Sequence, residues 1–180
     1  MKLLTMKKPT IVQGLAMAVT AMLFSSVACA QNQASPPATA TGKVNGATIT
    51  ITYSSPGVKG RQIWGALVPY DQVWRAGANA ATIFETDKDI MVEGKSLKAG
   101  KYSLYIIPGQ TEWTYIFNTQ TGQWGIKNDG STTEDPAKDA LRVKVKPQKS
   151  KAMQERMQYV IDKNGFALVW ENVSVPVSVK

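Results

Sequence analysis

Histidine is absent from all 180 residues, cysteine occurs once, and only 13 residues are acidic against 21 basic ones. The missing histidine removes Ser-His-Asp and Cys-His catalysis, histidine-bearing zinc sites and HExxH proteases together. Neither a P-loop nor a G-x-G-x-x-G run is present, so the common phosphate cradles are excluded too. Catalysis would have to come from paired carboxylates, lysine, tyrosine or an all-oxygen metal site, which makes an enzyme the minority reading. No cofactor is implied. The one cysteine, Cys29, falls near the start of the chain, so the domain that follows has no disulfide and packing alone must hold it.

The first thirty residues have the order of a secretory signal. Lys2, Lys7 and Lys8 form a positive start, Pro9 to Ala30 carries no charge and has an apolar centre from Gly14 to Phe24, and Ala28-Cys29-Ala30 precedes Gln31. This predicts cleavage between Ala30 and Gln31. An alternative takes Ser26-Val27-Ala28-Cys29 as a lipobox, with Cys29 becoming the lipidated first residue. Either way the chain is exported, to the periplasm, the envelope or the medium, and it meets a membrane only if Cys29 carries lipid. Loss of the three lysines lowers the net charge from +8 to +5, a modest basicity that suits an anionic envelope surface. The remaining 150 or so residues match one domain. Nucleic acid is not expected as a partner, because the aromatic interleaving of single-strand binders is missing. Nothing in the sequence fixes an oligomeric state.

Residues 31–42 are polar around Pro36-Pro37 and read as a flexible linker, with a single β domain over residues 43–180. From Ala47 the period becomes two: Ala47, Ile49, Ile51 and Tyr53 face one way, Thr48, Thr50 and Thr52 the other. Thr82 to Thr86, Ile90 to Val92, Tyr102 to Ile107 and Trp113 to Asn118 are further strands, with turns at Glu93-Gly94-Lys95 and Pro108-Gly109-Gln110. Leu141, Val143 and Val145 point inward while Arg142, Lys144 and Lys146 form a solvated face suited to blocking edge pairing. A strand from about Arg156 turns at Asn164-Gly165 into Phe166, Leu168 and Trp170. Val173 to Val179, interrupted by Pro176, forms a last strand at a sheet edge. Asp135 to Ala140 predicts a short helical turn with Pro136 first. Short strands separated by Gly and Pro turns give an all-β fold, an antiparallel β-sandwich or partly closed barrel with one or two short helical turns.

The stretches "TITYSSPGVKGRQIWGALVPYDQVWRAGANAATIFETD", "GKSLKAGKYSLYIIPG" and "WTYIFN", with Trp124-Gly125 and "KDALRVKVKP", resemble the bacterial DUF2911 family. The resemblance runs from about Ser35 to the C-terminus and rests on Y-S-x-P, G-R-x-I-W-G, V-P-Y and V-W-R-x-G-A-N in order. It implies an exported, mainly β domain of unknown function, and it supplies no catalytic residues.

Candidate ligand-binding residues are Arg61, Trp64, Arg75, Asn79 and Trp124. Arginine suits a carboxylate or phosphate because its fork is bidentate, and an indole in a loop can wall or stack on a ligand. These residues would bind a glycan or a small acidic ligand. For Arg75 the expected role is architectural: it pairs with a carboxylate such as Asp71 or Glu85, stacks on an indole and is at least half buried. In that reading Asn79 takes a left-handed turn or satisfies loop backbone, and the loop tryptophans cap the core. Trp170 is expected in the core and Trp113 in the core or at its rim. Glu85, Asp87, Asp89 and Glu93 are the carboxylate resource for a hydrolase, with Glu85, Asp87 and Asp89 on one face if their strand is unbroken. The functions in view are therefore a non-catalytic binding module, a structural or interaction component of the envelope, and a carboxylate-dependent hydrolase.

Overall fold

A computed structural model describes residues 34–180. The predicted signal, with Cys29, Ala30 and Gln31, lies outside the described residues. The alternating segments become strands β1 (Pro37–Val44), β2 (Ala47–Ser54), β3 (Thr82–Thr86), β4 (Ile90–Val92), β5 (Lys95–Leu97) and β6 (Gly100–Ile107). β7 (Trp113–Asn118), β8 (Asp139–Val145), β9 (Gln148–Asp162) and β10 (Gly165–Ser178) follow. β1, β2, β3, β6, β7 and β8 form one antiparallel sheet in that order. β9 and β10 pair as a long ribbon and β4 and β5 as a short hairpin. The end of β10 lies against β4 through the Val92–Val179 bridge.

The alternation in β2 sorts side chains as expected. Ala47, Ile49, Ile51 and Tyr53 are buried and Thr52 is exposed. Their buried face meets the ribbon: Phe84 of β3 lies 5.0 Å from Phe117 of β7 and 5.4 Å from Phe166 of β10, and Tyr115 lies 5.7 Å from Phe166. Each such aromatic pair adds about 0.5–1.5 kcal/mol beyond its buried area. The six-stranded sheet stays open, so the fold is an all-β sandwich and the barrel alternative falls away.

Three expectations need correction. Residues 37–42 are strand, paired with β2 in the register Pro37–Ser54 to Val44–Ala47, and do not belong to a linker. Asn45 and Gly46, at φ of 48° and 81°, supply the left-handed pair that a tight hairpin requires. The end of β10 is no free edge, because Ser178 and Lys180 carbonyls accept from the Glu93 and Met91 N–H groups. The β9–β10 turn sits at Lys163-Asn164, one residue earlier than expected. Gly165 then begins β10, where a Cβ would come within 2.0 Å of the Val177 carbonyl.

The predicted helical turn is a single 3-10 turn, Pro136–Lys138, capped by the Asp135 carboxylate accepting from Ala137 N at 3.0 Å. β8 is the last strand of the large sheet, with Val143 and Val145 buried and Lys144 exposed.

Candidate functional site

The loop between β2 and β3 holds the residues of interest, and its shape follows from a few fixed points. Trp74 exchanges two backbone hydrogen bonds with Ile106 of β6, both 2.8 Å. The Ala76 carbonyl accepts from Thr82 Oγ1 at 2.9 Å and from Tyr159 Oη at 3.0 Å, and the Trp74 indole donates to Gly77 O at 3.2 Å. Ala76 and Asn79 both adopt positive φ, 55° and 57°, and these turns fold the loop back over the sandwich end.

Arg75 is thereby held half-buried beside the loop before β8. Its Nη1 donates to the Trp124 carbonyl at 3.4 Å, and its guanidinium carbon lies 5.7 Å from the centre of the Trp124 ring. Close approach is possible because residue 125 is glycine, at φ 89°; a Cβ there would come within 2.6 Å of Arg75 Cβ. The expected carboxylate partner is missing: among the described residues the ion pairs engage Lys98, Lys101, Arg142 and Lys144, and none engages Arg75. Asp71 and Glu85 do not reach it, the latter pairing with Lys101 at 3.1 Å. Burial with no compensating anion pulls the Arg75 guanidinium below its ordinary pKa.

Arg61 is exposed and tied to its own loop, with Nε donating to Val58 O at 3.1 Å and Nη2 to Gly57 O at 2.6 Å. Arg61 and Arg75 line one cavity of about 230 Å³, together with Trp74, Trp170, Val73 and Ile126 among others. Trp74 and Trp170 are nearly parallel, with centres 6.1 Å apart and planes 19° from coincident. Trp170, in the core as its register predicted, has an Nε1–H without an acceptor among the described residues.

The other candidates fall outside the cavity lining. Trp64 is buried in edge-to-face contact with Trp113, Trp74 and Trp170 and forms no exposed wall. Trp113 is likewise core. Asn79 directs its amide to Ser35 O at 3.2 Å and Ser54 Oγ at 3.1 Å, joining the chain before β1 to the end of β2. Trp124 is 58% exposed and touches the site through Arg75. Trp74 and Ile126 went unrecognised from the sequence; Trp74 was recoverable as the neighbour of Arg75, whereas nothing in the sequence marks Ile126.

The carboxylate cluster does not converge. β3 ends at Thr86, so the common face predicted for Glu85, Asp87 and Asp89 is broken. Asp87 accepts from Thr48 N at 2.6 Å, and Asp89 takes Lys98 Nζ and Ala99 N, each at 2.8 Å. Glu93 and Asp162 line a second cleft, but they already accept from the Ser178 and Asn164 N–H groups.

A protein-family model described as "Protein of unknown function (DUF2911)" matches residues 35–179. No curated protein and no solved structure matches the chain.

Proposed function

The chain belongs to the DUF2911 family, and we propose that it is an exported, envelope-side module that binds a small acidic or hydroxylated ligand without transforming it. One observation carries this reading: Arg61 and Arg75 line the same cavity, and neither has a carboxylate partner among the described residues. A half-buried cation without an anion is a liability that architecture alone does not call for. An anionic ligand would relieve it. The volume, below the roughly 300–1,000 Å³ of sites for drug-sized ligands, suits a small acid or one sugar unit.

Calorimetric titration of the purified protein with small carboxylic acids, inorganic phosphate and neutral monosaccharides tests the reading. Saturable binding of any of these, weakened by Arg61→Met or Arg75→Met, supports it. Failure of the whole panel favours a second reading, a structural or interaction component of the envelope. That alternative draws on Trp64, sealed in the core, and on Asn79, whose amide is already engaged. The hydrolase alternative is weakened because Glu85, Asp87, Asp89 and Glu93 each hold a structural partner.

Export rests on the positive start, the apolar stretch and the Ala28-Cys29-Ala30 site. Intact mass of protein recovered from its native host separates a chain beginning at Gln31 from one acylated on Cys29.

A further inference from the structure

Resting on the binding reading above, we infer that the cavity takes a small carboxylic acid with an apolar body, its carboxylate on Arg75, and not a sugar. The lining has donors in excess. Its side chains with hydrogen-bonding groups are Arg61, Arg75, Ser35 and the two indoles, and no carboxylate or carboxamide side chain is among them. A sugar presents several hydroxyl protons that need acceptors, and the Ser35 hydroxyl alone among these side chains can accept. A carboxylate only accepts, which is what the two guanidiniums call for.

The two arginines are not equivalent. Arg61 has Nε and Nη2 on the carbonyls of Val58 and Gly57, leaving Nη1 as a point donor with no partner among the described residues. Arg75 uses only Nη1, in a long 3.4 Å bond, so its Nε–Nη2 edge has no partner among the described residues. Two parallel N–H groups on that edge match the two oxygens of a planar carboxylate. The rest of the ligand would meet Trp74, Trp170, Val73 and the partly exposed Leu67 and Ile126. An apolar body gains from that contact, whereas phosphate, strongly hydrated and tetrahedral, does not. Because Arg75 also sits over Trp124, a bound acid competes with that ring for the guanidinium, and Trp124 emission reports occupancy.

Benzoate, benzamide, inorganic phosphate and glucose are the probes, followed by tryptophan emission and by calorimetry. Benzoate should bind saturably, and benzamide, phosphate and glucose at least about tenfold more weakly, the loss of one charged hydrogen-bonded contact. Arg75→Lys should weaken benzoate by about tenfold or more, since an ammonium has no fork. Trp124→Phe should lose most of the emission change that benzoate causes in the parent. Arg-dependent binding of glucose or phosphate as tight as benzoate would overturn the inference and leave the binding reading standing. Benzoate binding unchanged in Arg75→Lys overturns it too. No binding of any probe removes both. The benzoate–benzamide comparison is made on the unaltered protein and does not depend on a variant folding.

Discussion

Arg142 and Arg75 show two ways of holding a guanidinium in one molecule. Arg142 donates from Nη2 to Glu134 at 2.8 Å and from Nε to Asp139 at 2.6 Å, with Asn118 fixing Asp139 from the other side. Burial works against its charge, but hydrogen bonds and attraction from Asp139 and Glu134 outweigh it and keep the group above its ordinary pKa. At Arg75 burial acts alone and keeps the group below it. The first is an anchor for the loop entering β8. The second has a backbone carbonyl and a ring face, and it lines a cavity. A cation's role is read from its anions: Arg142 has its carboxylates, whereas Arg75 has none among the described residues.

Arg142→Met strands Glu134, whose side chain is only 3% exposed, beside Asp139. Because the Arg142 side chain itself is 41% exposed, the loss is discounted from a fully buried pair to about 2–3 kcal/mol, readable by urea unfolding. Gly125→Ala forces a Cβ against Arg75 at positive φ. It should cost about 1–2 kcal/mol in the same assay and shift Trp124 emission, because it pushes the ring away from Arg75.

A smaller effect sharpens the Arg142 side. Burial, with the negative charge of Asp139 adding to it, raises the Glu134 carboxyl above its ordinary 4.5. The folded chain therefore holds that proton more tightly than the unfolded one. The resulting stability is complete below 4.5 and is lost as pH rises through the raised folded value. Asp87, Asp89 and Asp129 are lowered, so their contributions are lost only as pH falls past the ordinary 3.8, in a separate window. Glu134→Gln should gain on the parent as pH rises from 4.5 through the raised folded value, measured by unfolding at a series of pH values. A constant difference would show that the Glu134 proton does not couple to folding.

Much of the fold was legible because burial on one face writes itself as alternation, as in β2 and β8. β1 was missed because Pro36-Pro37 and the small residues of "ATATG" look like a tether. Asn45-Gly46 between two threonine-rich runs was the available hairpin signal. In the site, the arginines stood out by residue type, but their partners depend on which loops meet. Arg75 and Trp124 are 49 positions apart and are joined only by the fold, so neither the ring contact nor the lack of a carboxylate could be read from local sequence. Trp64 failed as a wall for the same reason: a tryptophan between turn residues can point inward, and this one completes the core.

The central claim is that Arg75 is kept for a ligand and not for the fold, and thermal melting of the parent and Arg75→Met, each with and without saturating benzoate, tests it most directly. Without benzoate the two should melt alike, within about 0.5 kcal/mol, because methionine retains the packing and removes an unpaired charge. With benzoate at about a hundred times the parent's dissociation constant the parent should gain about 2.7 kcal/mol, and a variant weakened tenfold or more should gain at most about 1.4 kcal/mol. A variant that melts well below the parent without benzoate, or a parent that benzoate does not stabilise, would contradict the claim.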